Sequence, residues 1–300
     1  MQNFSNEYNR VRGNEIGLFE QKRGLIAVWG REAVQFLNGL VTNDVAKIEE
    51  NAQISAAFPN AQGRLLAIVR ILRRDDKFFF ETEAATHEKV FNNLFRFTFA
   101  GDFFVEDLSD NFRYFEISNL KSQISKSDYI EFQNDFGANV FVPNDAAESL
   151  LTELRNDNAV EISDELYETL RIENGIPKYG VDAGETTIIP ELGIENLISY
   201  NKGCYIGQEI IARIHFRGHI AKQFTGLILE KQAKSNEELK SFDGKNAGRI
   251  TSVTFSPQLE KYIALAFVRY DYLAEGTRLK VGETTATVKH LPLVAQDKLK

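Results

Sequence analysis

The C-terminal quarter of the chain consists of short β-type runs, and this pattern constrains the fold more than any other feature. Turn residues such as Asp243-Gly244, Ser256-Pro257 and Glu275-Gly276 separate the runs. Several short strands at this spacing predict a small barrel or sandwich. The charged stretch Glu230–Lys240 is interpreted as a solvated excursion between strands. The predicted strands are Phe224–Leu229, Arg249–Phe255, Tyr262–Val268, Arg278–Val281 and Thr284–Val288.

The preceding residues alternate between helical and strand patterns, and the change of texture predicts a domain boundary near residue 222. Residues 1–222 are expected to form one region and residues 223–300 the second. The segment Gly175–Ile194 is rich in Gly, Pro, Thr and Asp and is predicted to be mostly loop. The predicted elements are a helix in which Ala33, Phe36, Leu37 and Leu40 form one stripe, a hairpin of Arg64–Leu72 and Lys77–Thr82, a helix over Ala84–Phe95 that buries Val90, Phe91, Leu94 and Phe95, a helix that buries Leu150, Leu151 and Leu154, and a helix capped by Ser163.

Composition excludes several classes of protein. A net charge of −8 argues against a general nucleic-acid binder, whose phosphate contacts need an excess of Lys and Arg. The single cysteine excludes an intramolecular disulfide and cannot hold a conventional iron–sulfur cluster by itself. The N-terminal residues lack an apolar signal core, and no apolar run approaches the ~18 residues of a membrane span. A cytoplasmic location, away from membranes, is therefore expected.

The only cysteine, Cys204, lies in the segment K-G-C-Y-I-G-Q-E-I-I-A-R at Lys202–Arg213. Apolar residues at helical spacing follow it, which predicts that Cys204 lies at or just before the first turn of a helix. The helix dipole and the charge of Lys202 would both favour a thiolate and lower the pKa of the thiol. The alternative is a small buried thiol that behaves as a hydrophobic residue. Local spacing leaves both interpretations open.

Other motifs give little support for a catalytic or metal site. The chain has no G-x-G-x-x-G and no G-x-x-x-x-G-K-[ST] pattern for nucleotide binding. His215 and His219 have the spacing of metal ligands on a helix, but Gly218 lies between them and no third Cys or His is nearby. No metal site is predicted.

Together with the Cys204 segment, four further segments resemble a known family. They are Gly30–Asp44, Arg171–Asp182, Ile188–Glu191 and Gly248–Val268. In this order they resemble the YgfZ branch of the glycine-cleavage T-protein-like, folate-binding superfamily, over nearly the whole chain. K-G-C-Y-x-G-Q-E is the specific signature of the branch. The resemblance implies an α+β region of two intertwined subdomains followed by a small C-terminal β-barrel. It also implies a protein that binds tetrahydrofolate or a derivative and supports iron–sulfur enzymes, including those that modify tRNA.

The resemblance implies roles for individual residues. Glu173 matches the glutamate that accepts hydrogen bonds from the pterin ring, since a carboxylate offers paired acceptors to adjacent N–H donors. Without the resemblance, Glu173 would be interpreted as a solvated glutamate at a helix end. The resemblance also suggests Arg171 as a supporting group, Glu191 in the same pocket, Tyr205 as a wall for a flat ring, and Lys202 and Gln208 as residues of the signature. Charge suggests Arg213, close to Arg217 and Lys222, as a group that binds the anionic folate tail.

Three functions remain open at this point. The first is a folate-binding accessory protein, with Cys204 as the reactive thiol and Lys202 beside it; folate and iron–sulfur proteins or their assembly factors would be its partners. The thiol could accept a one-carbon unit, ligate a transferred cluster transiently or undergo redox exchange. The second is a folate-dependent aminomethyltransferase or methyltransferase. The resemblance counts against it in two ways: the stretch Glu83–Val90 lacks the catalytic aspartate that transferases carry there, and the transferase branch does not keep a cysteine at the position of Cys204. The third is an interaction module whose folate pocket has decayed.

Overall fold

The computed structural model describes residues 2–120, 124, 126–134 and 137–295, and the chain divides into two compact units. The first unit comprises the residues up to Ser163 together with Glu195–Gln208. The second comprises Asp164–Ile194 and the residues from Glu209 onward. Each unit is therefore built from two separate stretches of the chain.

The first unit contains two five-stranded sheets with the orders β10-β1-β7-β9-β8 and β3-β4-β5-β2-β6. Neighbouring strands are antiparallel except for the parallel pair β1 and β10. Strand β1 joins the sheet of the later strands although β2–β6 intervene in the chain, so the two subdomains are intertwined, as predicted. The elements are α1 (Gln2–Arg12), β1 (Gly17–Gln21), β2 (Arg23–Trp29), α2 (Ala33–Leu40), β3 (Gln53–Pro59), β4 (Leu65–Arg74), β5 (Lys77–Glu83), α3 (His87–Phe95), β6 (Phe104–Asp107), β7 (Phe112–Ser118), β8 (Ile130–Asn134), β9 (Gly137–Pro143), α4 (Ala147–Asn156) and β10 (Val160–Glu161).

Strand β2 is buried on both faces, which explains its unbroken apolar sequence G-L-I-A-V. Ile26 and Val28 pack into the core beneath α2 and α3. Leu25 and Ala27 point to the opposite face, where they meet residues of both sheets, including Phe132 and Phe141 of the other sheet. Because successive side chains of a strand alternate between faces, one strand contributes to two cores. Burial of each larger aliphatic side chain contributes roughly 1.5–3 kcal/mol.

The predicted hairpin is confirmed and extends by a few residues to β4 and β5. Its turn residues, Asp75 and Asp76, have φ values of 52° and 59°. Two consecutive left-handed residues match the twist of a two-residue hairpin loop, and Asp tolerates this conformation better than most residues.

The predicted helices are present with adjusted bounds. Helix α2 buries Ala33, Leu37 and Leu40, while α4 buries all three predicted leucines. Helix α3 begins at His87 rather than Ala84, because the residues before it form a turn. The prediction that Phe95 is buried is wrong: the side chain is 51% exposed at the C-terminal end of α3. Phe95 has the helical spacing of a buried residue, but the core that receives Val90 and Leu94 does not extend under the last turn of α3.

The second unit contains helix α5 and a closed barrel with the order β11-β14-β13-β12-β15-β16. The predicted C-terminal barrel is thus confirmed, as is the α+β fold. The sequence does not predict β12, which lies inside the predicted excursion Glu230–Lys240. Only Leu239 of its three residues is buried, and one apolar residue is too short a pattern to indicate a strand. No described helix is long and apolar enough to cross a membrane. The elements are α5 (Asp164–Asn174), α6 (Gln208–Arg217, which starts at the last residue of the first unit), β11 (Lys222–Leu229), β12 (Glu238–Lys240), β13 (Asn246–Ser256), β14 (Lys261–Arg269), β15 (Arg278–Val281) and β16 (Thr284–Lys289).

A buried ionic network connects the two sheets of the first unit. The Arg70 guanidinium on β4 pairs with the Glu81 carboxylate on β5 and donates a 3.0 Å hydrogen bond to Tyr114 Oη on β7. Tyr114 in turn donates to Glu81 Oε1 at 3.0 Å. Burial by itself raises the pKa of Glu81, but the charges of Arg70 and Arg23 outweigh it and lower the pKa to about 2. The carboxylate is therefore ionised wherever the unit is folded at ordinary pH.

The substitution Glu81→Gln should lower the free energy of unfolding by about 3–5 kcal/mol, because it leaves two arginines without their buried counter-charge. Glu148→Gln is the matched control: this exposed partner of Arg113 should change stability by less than about 1 kcal/mol. Urea denaturation measures both. The pKa of Glu81 is lower in the folded than in the unfolded state, so its stabilisation is complete above an unfolded pKa near 4.5 and decreases as pH falls toward 2. Equal effects of the two substitutions at neutral pH would contradict the prediction.

Candidate functional site

The segment around Cys204 is an extended loop that precedes α6. Helix α6 begins at Gln208, so Cys204 lies four residues before the helix and not in its first turn. Gly207, with φ of 77°, turns the chain between them, and the Gln208 N–H donates to the Tyr205 carbonyl at 3.2 Å. The side chain of Cys204 is exposed, which rules out the alternative of a buried, hydrophobic thiol.

Lys202 fixes the start of this loop. Its Nζ donates to the carbonyl oxygens of Val41 at 2.9 Å and Asn43 at 2.6 Å, and it lies 5.2 Å from the ring centroid of Tyr205. Burial lowers the pKa of Lys202 to about 8, although the charge of Asp44 acts in the opposite direction. The ammonium group thus holds two backbone carbonyls of residues 41–44, which follow α2 and contain the T-N-D sequence, and which are called the T-N-D loop below. An influence of Lys202 on the Cys204 thiol remains a prediction.

Thr42 and Asn43 of the T-N-D loop hold Leu197 and Asn196, which precede Lys202 in the chain. The buried Thr42 Oγ1 donates to the Leu197 carbonyl at 2.7 Å and accepts from the Ala57 N–H at 2.9 Å. Asn43 Nδ2 donates to the Asn196 carbonyl at 2.6 Å. The sequence does not predict these contacts, because Leu197 and Asn196 lie more than 150 positions from the T-N-D loop and carry no recognisable pattern.

Gly207 fixes the end of the loop by close packing. A Cβ on this residue would lie 2.4 Å from the Asn60 carbonyl oxygen and 3.0 Å from the Gly63 nitrogen. The turn that it contacts is itself ordered, since Asn60 Oδ1 accepts hydrogen bonds from the backbone N–H groups of Gln62 and Arg64. Cys204 therefore lies exposed between two anchored positions, Lys202 and Gly207. This arrangement presents an accessible sulfur on a constrained backbone.

The residues implied by the resemblance near α5 lie in the second unit and form a buried polar network. Arg171 Nη1 donates to Asp182 Oδ2 at 2.7 Å and Nη2 donates to Ser252 Oγ at 3.0 Å, and the guanidinium also pairs with Glu168. Asp182 accepts a 2.5 Å hydrogen bond from Thr251 Oγ1 as well. Arg171 thereby ties α5 to the following loop and to β13. Its expected support of a ligand pocket remains a prediction beside this structural role.

Glu173 and Glu191 are also buried. Glu173 has no exposed surface, and its Oε1 accepts a 2.5 Å hydrogen bond from Ser256 Oγ. Glu191 is 5% exposed, and its Oε2 lies 3.9 Å from Lys222 Nζ. Carboxylates are chemically suited to the N–H donors of a pterin. In this structure Oε1 of Glu173 is engaged by Ser256, and a contact between the Glu173 carboxylate and a pterin remains a prediction.

The remaining predicted residues differ in exposure. Tyr205 is nearly buried, and burial, followed by the nearby Tyr200, raises its pKa to about 12. Gln208 is half-buried at the start of α6, and Arg213 is exposed on the same helix. The His219 ring stacks on Tyr270 with centroids 4.6 Å apart. Among the described residues, no group of three His, Cys, Asp or Glu side chains is placed to hold a metal ion.

The substitution Gly207→Ala should destabilise the first unit, since a left-handed alanine costs about 1–3 kcal/mol even before the contact with the Asn60 carbonyl is relieved. Gly203→Ala is the matched control, because a Cβ there meets no atom within 4 Å. Urea denaturation of both variants measures the difference. Similar stabilities would show that the tight packing at Gly207 does not anchor the loop.

Comparison with known proteins places this geometry in a known fold. Residues 222–294 match the family model of the glycine cleavage T-protein C-terminal barrel domain. Aminomethyltransferases of Thermoanaerobacter sp. (strain X514) and Thermoanaerobacter pseudethanolicus are 24% identical, over 96% of this chain and 86% of each relative. The crystal structure of the glycine cleavage system aminomethyltransferase T from Bartonella henselae superposes with a TM-score of 0.88 at 20% identity, covering 98% of this chain and 91% of that one. The chain therefore has an aminomethyltransferase-like fold with a T-protein-type C-terminal barrel, in agreement with the superfamily-level resemblance.

Proposed function

We propose that this protein is a reduced-folate-binding accessory factor that supports iron–sulfur enzymes, including tRNA-modifying ones, and that Cys204 is its reactive thiol. The proposal places the chain in the YgfZ branch, on the signature at Lys202–Glu209. Its protein partners are iron–sulfur proteins or their assembly factors, and its location is the cytoplasm.

The exposure of Cys204 between two anchored positions is the observation that carries the proposal. A cysteine kept only for packing is usually buried. Here the flanking residues are held in place by the Lys202 hydrogen bonds and the Gly207 packing, while the sulfur between them is accessible. An exposed thiol can act on a partner protein without any rearrangement of its own chain. Since the chain has one cysteine, any disulfide or thiolate-ligated cluster at this site must include groups from a partner.

Replacement of Cys204 tests the role of the thiol in cells. In cells that lack the native gene copy, we expect the Cys204→Ala variant to restore the activities of iron–sulfur enzymes less than the unaltered protein does. Asn201→Ala, at a nearby exposed residue, is the control and should restore these activities fully. Melting temperatures of both purified variants should match the unaltered protein, because neither side chain is buried. Full iron–sulfur enzyme activity with Cys204→Ala would remove the thiol from the mechanism.

The folate part of the proposal is supported by the fold, since aminomethyltransferases share it. When bound, a reduced folate would supply a carrier for one-carbon units. Glu173 is retained as the group to test because its carboxylate has suitable acceptors, while its burial makes a structural role the competing explanation.

Anaerobic titration of tetrahydrofolate separates these roles. The unaltered protein should bind saturably, and Glu173→Gln should weaken binding by about tenfold or more, through loss of a charge-assisted contact. Ser256→Ala is the control: it removes the hydroxyl that contacts Glu173 but leaves the carboxylate, so it should retain binding even if it lowers the melting temperature. Absence of binding to the unaltered protein would overturn the folate proposal and favour a decayed pocket. Equal loss in both variants would make Glu173 structural.

A folate-dependent aminomethyltransferase or methyltransferase is the second candidate. The similarity to relatives named aminomethyltransferase, over 96% of the chain, favours it. This candidate requires turnover when the purified protein is incubated with tetrahydrofolate and a methylamine donor, and it does not require Cys204. Turnover that persists in Cys204→Ala would support it over the accessory role.

A further inference from the structure

Strand β6 forms an outer edge of its sheet, and an aromatic groove runs along that edge. Among the described residues, β6 pairs only with β2. The groove has a volume of about 630 Å³. Phe95 and Phe104, its most exposed aromatic residues, are 51% and 53% exposed. Its lining also includes Trp29, Thr98, Gly101 and Phe103.

The register of β6 shows which backbone groups face outward. The Leu108 N–H donates to the Leu25 carbonyl at 2.9 Å, which places these two residues at a hydrogen-bonded position of the ladder, while the Leu25 N–H donates to Ser109 Oγ at 3.0 Å. Because such pairs alternate along an antiparallel ladder, Phe104 and Glu106 face β2, and the N–H and C=O groups of Val105 point away from it. An edge of this kind is a template for an added strand.

Aromatic side chains flank this edge on both faces of the sheet. Phe104 stacks on Trp29 with centroids 5.6 Å apart, and Lys77 Nζ lies 4.6 Å from the centroid of the same indole. Phe95 approaches from α3 and stacks on Phe91 at 5.4 Å. A strand added to β6 would therefore direct alternate side chains toward Phe104 on one face and toward Phe95 on the other.

Charge at the edge indicates which segment fits. β6 reads F-V-E-D, and the exposed Glu106 carboxylate lies in the groove lining. Asp107 follows it on the same strand. A second copy of the chain pairing through β6 would bring acidic strands together, and like charges across a strand pair are destabilising. Basic residues on the face of Phe104 would instead meet the Glu106 carboxylate, whereas the Asp107 carboxylate is engaged by His87 and Ser109.

We infer that the outer edge of β6 is a docking site for an extended segment of a partner protein, in which apolar or aromatic residues alternate with Lys or Arg. The segment adds a sixth strand to the sheet through the outward backbone groups of Val105. Its apolar side chains lie on the face of Phe95 and Val105, and its Lys or Arg side chains lie on the face of Phe104 and Glu106. This inference concerns a surface that the proposed function does not use.

A synthetic peptide tests the inference with the full chain. Trp29, the only tryptophan, lines the groove and reports binding by its fluorescence. We expect saturable binding of a seven-residue peptide that alternates Lys with Val or Phe. The same peptide with N-methyl groups on alternate residues, which block strand pairing, should bind at least about tenfold more weakly, as should a version with Glu in place of Lys.

Variants locate the site by calorimetry, which does not depend on the tryptophan signal. Phe95→Ala and Phe104→Ala should each weaken peptide binding by about tenfold. Phe216→Ala, an aromatic residue of α6 that is 66% exposed, should leave it unchanged. Absence of binding, equal binding of the N-methylated or the Glu peptide, or unchanged affinity in both groove variants would overturn the inference. So would a dimer of the unaltered protein that Phe95→Ala dissociates, because the occupant would then be a second copy.

Discussion

The first unit depends on the burial of β2 on both faces. Its residues alternate between the core beneath α2 and α3 and the core between the two sheets, so one strand holds two layers together. Strands β5 and β6 pair with β2 on its two sides. Strand β5 thereby places Glu81 against Arg70, and β6 lies at the outer edge of the sheet. A polar residue at any position in the middle of β2 would disturb one of the two cores, which explains why the strand is apolar without alternation.

The Cys204 loop takes its geometry from the same framework. Thr42 at the end of α2 is bonded both to β3, through Ala57, and to Leu197. Lys202 extends this arrangement by holding the carbonyls of Val41 and Asn43. The signature K-G-C-Y-x-G-Q-E thus contains anchoring residues as well as the thiol. Lys202 and Gly207 hold the backbone, and Cys204 is the position between them that is exposed.

The second unit uses buried charge differently. Arg171 and Asp182 pair with almost no exposure, and hydroxyl groups of Thr251 and Ser252 satisfy the remaining acceptors of the carboxylate. Such a pair adds little net stability, since desolvation offsets attraction, but the loss of one partner is costly. Its effect is to fix the loop after α5 against β13. Two of the residues that the resemblance singles out, Arg171 and Glu173, therefore make buried contacts within the second unit, and their roles toward a ligand remain predictions.

Local patterns in the sequence determined the elements, and the tertiary structure decided their partners. The alternation in β4, the helical stripes of α2 and α4 and the turn residues between the barrel strands were readable because periodicity records which face of an element is buried. It does not record what covers that face. Phe95 has the spacing of a buried residue and is exposed, whereas Glu173 has the polarity of a surface residue and is sealed. Thr42 and Leu197, 155 positions apart, meet only because the chain returns to the first unit after the second has begun. The position of the Cys204 loop in the first unit follows from that return, which no local rule encodes.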